Sequence, residues 1–335
     1  MSATVMITGA GGFIGHHCVY VARMRKHRVI AVVRSQASVC TDWVDDPLID
    51  VVVADLASDD HSPLKTAVMR ADAVIHTAAS LKGDDTQQAY DTVLATRKLI
   101  RTMNSMPREQ RKMVLASSIT VYDVAAMQEG SVLDEDAPIE KYPDQRDAYC
   151  RSKLIQEAVA MEAAKTDKLD LFVMRLGVVF GQTRLWNGHL GHPLGPVLLR
   201  FGSVGRVPVS YVEHCAKALV LAAEMPLSGI DVINVTDDDL PDRATYIGAL
   251  RKSGWPKVVV PVSWRIVAGL AAMCNHIPNM PGLLRSAVLK SRMMPLRYDN
   301  TKLKKRLGWQ GDLSFDAAMQ HAMNFKGKVG CDGKI

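Results

Sequence analysis

No run in this 335-residue sequence is long and apolar enough to span a bilayer. The most apolar late segment, residues 258–274, is interrupted by Pro261 and Arg265 and falls short of the ~20 residues a spanning helix needs. Its helical part, from about Trp264, is expected to cover a lobe of the protein. Cysteine is scarce and scattered: Cys18, Cys40, Cys150, Cys215, Cys274 and Cys331 form neither a Cys-x-x-Cys pair nor a small-scaffold framework, which predicts a reducing, cytoplasmic setting. A strand-like run starts at Thr4, leaving no room for a charged region and an apolar signal core, so secretion is not expected. Low-complexity sequence is absent before the last ten residues, and the tail, residues 326–335, is expected to be flexible.

Blocks of like charge are also missing. The formal net charge of +6 is spread along the chain, which suits small anions and gives no nucleic-acid module. The densest cluster, Lys302, Lys304, Lys305 and Arg306, reads as a solvated helix face. His189 and His192 have a spacing metals use, but no nearby Cys or carboxylate completes a set, so no metal is expected.

What is present is an alternation. Short apolar runs at residues 5–7, 29–33, 51–53, 73–76, 113–116 and 171–174 are separated by helical patterns such as residues 16–26 and 87–103. Continuously apolar strands between helices predict a doubly wound α/β fold whose parallel sheet is buried on both faces. From Gly181 to Gly205, glycine and proline predict a loop-rich region suited to substrate binding. Strand and helix patterns return at residues 207–235, and residues 244–325 read as mostly helical. The expected organisation is a Rossmann-type doubly wound domain, residues 1–180 with 207–235 returning to it, and a smaller, mainly helical substrate lobe from residues 181–206 and 236–325.

After the first strand comes Thr8-Gly9-Ala10-Gly11-Gly12-Phe13-Ile14-Gly15, with a helix starting near Phe13. Gly9 permits a tight turn, Gly12 lets backbone approach a pyrophosphate and Gly15 allows close helix packing. The free N–H groups of the helix favour the anion, so the stretch predicts nucleotide binding. At the end of the second strand, where an acid would bond the ribose hydroxyls of NAD, the chain has Arg34. A guanidinium there pairs with a 2′-phosphate, so NADP is the expected cofactor and NAD the alternative.

In this order the motifs resemble the extended short-chain dehydrogenase/reductase family, which includes nucleotide-sugar epimerases and dehydratases, dihydroflavonol reductases and 3β-hydroxysteroid dehydrogenases. The glycine turn is similar to the family's TGxxGxxG. Asp55-Leu56 resembles its adenine-contacting pair, and His76-Thr77-Ala78-Ala79 the element lining the nicotinamide ribose. Ala116 to Tyr122 is similar to the stretch after strand five, containing Ser117 and Ser118. Tyr149-Cys150-Arg151-Ser152-Lys153 resembles the catalytic pair, and Arg175 to Gly181, with Leu176 and Val178, the segment after strand six. The resemblance covers nearly the whole chain. It implies cofactor contacts from Gly9, Gly12, Phe13, Ile14, Gly15, Arg34, Asp55, Leu56, Ala78, Ser117, Tyr149, Lys153, Leu176 and Val178.

A hydride moving between a secondary alcohol and NAD(P) needs a base for the hydroxyl proton, or an acid in reverse. Free tyrosine, with a pKa near ~10, is a poor base at neutral pH. A lysine one helical turn away favours the phenolate. Tyr149 is therefore the expected acid/base and Lys153 its activator, while Ser118 bonds the substrate oxygen and Ser117 lies nearer the cofactor. A second Tyr-x-x-x-Lys, Tyr298 to Lys302, resembles only a terminal element before Leu307-Gly308-Trp309 and is read as a decoy.

The chain departs from the family in two places. The arginine that grips a sugar diphosphate has at most a displaced counterpart, Arg206, and the asparagine of helix four is replaced near Thr92. The expected activity is an NAD(P)-dependent dehydrogenase or reductase interconverting a secondary alcohol and a ketone. The alternatives are a nucleotide-sugar epimerase or dehydratase and a non-catalytic NAD(P)-sensing protein. A small-molecule substrate is the expected partner, and the family's usual assembly is a homodimer.

Overall fold

The computed structural model describes residues 2–107, 111–273 and 285–324. Seven strands form one parallel sheet: β1 (Thr4–Thr8), β2 (Arg28–Val33), β3 (Ile49–Val53), β4 (Ala73–His76), β5 (Lys112–Ser118), β6 (Asp170–Leu176) and β7 (Ile230–Val235). Their spatial order is β7-β6-β5-β4-β1-β2-β3, with every pairing parallel. The expected doubly wound Rossmann class is the observed one. The chain runs outward in both directions from β1 and β4, so the crevice at the carboxyl ends of these two strands is the switch point where such folds bind ligands.

The continuously apolar strands follow from burial on both faces. Val5 and Ile7 of β1, Ala31 and Val33 of β2, Ile75 of β4, Val114 of β5 and Phe172 and Met174 of β6 point into one core. Helices α1 (Phe13–Met24) and α5 (Val212–Glu224) cover that core. The intervening Met6, Ile30, Val32, Val74, Met113, Leu115, Leu171 and Val173 point into the other. There α2 (Ser62–Val68), α3 (Ala95–Met103) and α4 (Ala148–Thr166) lie. A period of two with both phases apolar is the pattern of a strand buried on each side.

Two stretches differ from the sequence expectation. Residues 87–103, read as one helix, are divided: an α-helical start at Asp85–Gln88, a π-helical stretch at Ala89–Leu94, then α3. Residues 181–206, read as loop, contain the antiparallel strands Gly191–Leu194 and Val197–Phe201, with Val258–Val262 parallel to the second. Glycine belongs in this hairpin because a Cβ at Gly191 would stand 1.9 Å from the Leu199 carbonyl oxygen. One of the glycines that suggested loop, Gly191, is thus a requirement of close strand approach.

Beyond β7 come α6 (Arg243–Arg251), α7 (Trp264–Met273), α8 (Ser286–Met293), α9 (Thr301–Leu307) and α10 (Phe315–Asn324). A cluster of Phe180, Tyr211, Tyr246, Ile247, Phe315 and Met319 packs α6 and α10 against the paired short strands Val178–Phe180 and Val209–Tyr211. Among the described residues no helix is long and apolar enough to cross a membrane. Cys274, Cys331 and the expected flexible tail lie outside the described residues.

His214, at the start of α5, ties the last segment to the sheet. Its Nε2 accepts from the backbone amides of Asp312 (3.1 Å) and Leu313 (3.3 Å). Nδ1 therefore carries the hydrogen that Asp237 accepts at 3.0 Å. Trp309, fully buried, donates its indole N–H to the His214 carbonyl at 3.1 Å. Removing the imidazole strands two amides and one oxygen of the Asp237 carboxylate, whose other oxygen still accepts from the Tyr211 amide at 2.8 Å. His214→Ala is expected to cost about 2–3 kcal/mol of unfolding free energy, read as a lower urea midpoint at unchanged slope; an unchanged midpoint would show the ring to be dispensable.

Candidate active site

The glycine turn sits at the carboxyl end of β1. Gly9 has φ +69°, and a Cβ there would meet the Ala78 backbone at 2.8 Å, so the turn lies directly against the end of β4. A Cβ at Gly15 would be 2.1 Å from the Gly9 carbonyl oxygen, and one at Gly12 would be 3.1 Å from the same atom. No larger residue lets α1 approach the turn this closely. Gly12 is the N-cap of α1 and offers no capping side chain, which leaves the first amides of the helix open to an anion. These residues fit a dinucleotide pyrophosphate.

Asp147 caps α4, accepting from the Cys150 amide at 2.9 Å, and is held in turn by Arg292 at 3.0 Å. That cap sets Tyr149 in the first helical turn and Lys153 one turn later on the same face. The Lys153 ammonium is 5.9 Å from the centroid of the Tyr149 ring. Burial pushes the Tyr149 phenol up to about 12; a hydrogen bond with the Ser118 side chain and the nearby Arg184 charge oppose the rise. Burial pulls Lys153 down to about 8, against the attraction of Glu157. Ser118 ends β5 and accepts from the Thr120 amide at 3.2 Å. Ser118, Tyr149 and Lys153 thus share one corner of the carboxyl edge.

Behind them lies a buried polar layer. Lys153 Nζ donates to the Ala116 carbonyl and to Gln156 Oε1, each at 2.8 Å. Gln156 Nε2 donates to Thr96 Oγ1 at 2.9 Å, which also lies 2.8 Å from His76 Nε2. His76 Nδ1 is 2.7 Å from Thr8 Oγ1, at the foot of the glycine turn. Ser117 turns away from this layer and donates to Glu157 at 2.5 Å, and Glu157 forms two bonds with Arg175, at 3.0 and 2.8 Å. Any contact of Ser117 with a cofactor would therefore be through its backbone.

The other expected cofactor residues are dispersed around the same edge. Phe13 and Ile14 open α1, with the Arg184 guanidinium 4.8 Å from the Phe13 ring centroid. Asp55 follows β3 and accepts from the Ala57 amide at 3.0 Å. Leu56 and Leu176 are buried in the two cores, so their side chains serve packing. Val178 begins the short strand Val178–Phe180, paired with Val209–Tyr211. Arg34 leaves the end of β2 with its side chain 60% exposed, and Nη2 donates to the buried Asp91 at 2.9 Å. Asp91 belongs to the π-helical stretch and also accepts from Gln87 at 2.6 Å.

Asp91, Gln156, Glu157 and Arg184 escaped the sequence reading because no motif names them. Only Gln156 and Glu157 carried a signal, lying three and four residues after Lys153 on one helix. The second Tyr-x-x-x-Lys is no pair: Tyr298 lies in the strand Arg297–Tyr298, whereas Lys302 is in α9 and bridges to Asp231 at 2.8 Å. Among the described residues no group of three or more His, Cys, Asp or Glu side chains could hold a metal. Two clefts of about 440 and 370 Å³ flank Trp264 and Arg265, and neither is lined by Ser118, Tyr149 or Lys153.

Comparison with known proteins identifies the family and the fold. Residues 5–235 match the NAD dependent epimerase/dehydratase family. A 3-diazoavenalumate denitrifying reductase from Streptomyces sp is 29% identical over 273 residues, 77% of this chain and 86% of that protein. Cinnamoyl-CoA reductase 1 of Arabidopsis thaliana is 27% identical over 193 residues, and the match spans 53% of each chain. The UDP-glucuronic acid 4-epimerase of Bacillus cereus, solved with NAD, shares the fold with a TM-score of 0.69 at 18% identity, over 96% of this chain and 97% of the other. With the glycine turn, the parallel sheet and a family match across more than half its length, the chain belongs to the NAD-dependent epimerase/dehydratase family.

Proposed function

We propose that the protein is an NADP(H)-preferring oxidoreductase that interconverts a secondary alcohol and a ketone. The observation that carries this reading is the placement of Tyr149 and Lys153 on one face of α4, with Ser118 beside them, at the corner where the glycine turn ends. The cofactor, when bound, supplies or takes up the hydride. Tyr149 exchanges a proton with the substrate oxygen, and Ser118 donates a hydrogen bond to that oxygen as charge builds on it. Burial is the main cause that keeps the phenol protonated, at about 12. The Lys153 ammonium and the positive end of α4 lower the cost of the phenolate.

Arg34 favours NADP. Among the described residues its one side-chain hydrogen bond is to Asp91, so most of its N–H groups remain to meet a 2′-phosphate at the sheet edge. Residues 181–206 and 236–325 are assigned the substrate. The reductase names of two relatives, one covering 77% of this chain, support net redox chemistry over internal epimerisation. For the epimerase alternative, Arg206 gives little help, because its guanidinium donates to the Leu240 carbonyl at 2.9 Å.

Purified protein given NADPH and a panel of aromatic ketones and nucleotide sugars should consume NADPH with a ketone; conversion of a sugar with no external cofactor consumed would overturn the reductase reading. Tyr149→Phe is expected to lower turnover by about 10³-fold while leaving the Kd for NADP within a factor of about two, and turnover at the wild-type rate would remove Tyr149 from the mechanism. Arg34→Asp should move the ratio of NADP to NAD affinity by about 10- to 100-fold toward NAD, the worth of one charged hydrogen-bond pair. An unchanged ratio in competitive titration would show that Arg34 does not read the phosphate.

A further inference from the structure

The polar layer behind Lys153 has its hydrogens in one order. Thr96 Oγ1 lies 2.6 Å from the Thr92 carbonyl oxygen, which accepts its only proton. Thr96 must then accept from both other neighbours, Gln156 Nε2 at 2.9 Å and His76 Nε2 at 2.8 Å. His76 therefore carries its hydrogen on Nε2 and accepts from Thr8 on Nδ1, and burial, which pulls its pKa to about 3, keeps the ring neutral. Gln156 can point only its carbonyl at Lys153, because an ammonium has nothing but donors.

Lys153 has three N–H groups. Two are spent on Ala116 O and Gln156 Oε1, both at 2.8 Å, which leaves one for the side where the Tyr149 ring stands. Gln156 is 1% exposed and Thr96 and His76 no more than that, so no water layer is required to hold the amine. Thr92, where the resembled family has asparagine, is fully buried in the π-helical stretch, and its side chain accepts from the Ser80 amide at 3.1 Å.

We propose that Gln156 is a positioning residue: its side-chain carbonyl, tethered through Thr96 and His76 to β4, holds the Lys153 ammonium so that its remaining N–H serves Tyr149. This rests on the catalytic reading of Tyr149 and Lys153 given above. The titratable and charged groups around the ammonium are Tyr149 and Glu157 on α4, His76 on β4 and, through Glu157, Arg175 on β6; those acting on the phenol are Asp147, Cys150 and Arg184. Glu157 is engaged by Ser117 and Arg175, so the neutral Gln156 carbonyl is the side chain that aims the amine. An acceptor at Lys153 favours the charged amine, and a charged amine beside the phenol favours phenolate. The amine and the phenol titrate as a pair, so loss of the acceptor is expected to raise the pH at which phenolate forms beside the charged amine.

The test needs no substrate. The full chain saturated with NADP⁺ is titrated by tyrosinate difference absorbance, and the wave removed by Tyr149→Phe is assigned to Tyr149. Gln156→Leu should move that wave up by about one pH unit, or tenfold less phenolate at a given pH. Gln156→Glu keeps an acceptor for the amine but loses the N–H to Thr96, so it should move the wave by no more than Thr96→Val does. Thr96→Val, which unties the Gln156 amide while leaving its carbonyl, should move the wave in the same direction by less, and stands in should Gln156→Leu fail to fold. A Gln156→Leu or Thr96→Val protein that folds and titrates like wild type overturns the role of Gln156 alone, as does Gln156→Glu behaving like Gln156→Leu. A wild-type protein with no wave that Tyr149→Phe removes overturns the catalytic reading itself.

Discussion

A buried ammonium keeps its proton only if its surroundings replace the water it has lost, and much of this site is organised around meeting that condition for Lys153. The residue is 3% exposed. Its acceptors come from two elements, the carbonyl of Ala116 on β5 and the side chain of Gln156 on α4. Its anionic neighbour, Glu157, is shared with Ser117 on β5 and Arg175 on β6. Helix α4 can therefore dock in only one register on the sheet. The register that satisfies the lysine also places Tyr149 at the carboxyl edge, beside Ser118.

The glycine turn imposes a complementary constraint from the other side of the crevice. Gly9 packs against the backbone of Ala78 and Gly15 against the Gly9 carbonyl, so β1, β4 and α1 meet with no side chain between them. Thr8, at the start of that turn, is joined to Lys153 through His76, Thr96 and Gln156. The glycine turn and the proposed acid/base are thus two ends of one hydrogen-bonded core.

The fold was largely legible in the sequence because its signal is local: apolar runs of strand length, helices between them and a glycine turn after the first. The hairpin at Gly191–Leu194 and Val197–Phe201 was not, because glycine marks both loops and close strand approach. The division of residues 85–103 was hidden for a different reason, since a π-helical stretch is set by what its residues meet, here Asp91 against Arg34 and Thr92 against the Ser80 amide. At the site, the residues with motif positions came together on one edge. Those acting through them could not be read, because Gln156 and Asp91 take their meaning from partners 60 and 57 residues distant. Leu56, Leu176 and Ser117 show the converse: a motif position states where the backbone runs, while packing decides where the side chain goes.

The central claim is that this corner transfers hydride between a nicotinamide and a carbonyl carbon under control of Tyr149. The most direct measurement follows the atom itself. NADPH carrying deuterium on the transferring face of its C4 is supplied with a ketone that the protein reduces, and the product is examined by mass spectrometry and NMR. The account predicts deuterium on the carbinol carbon, one per NADPH consumed, and its loss in Tyr149→Phe. A product formed without deuterium at that carbon, or formed equally well by the phenylalanine protein, would contradict it.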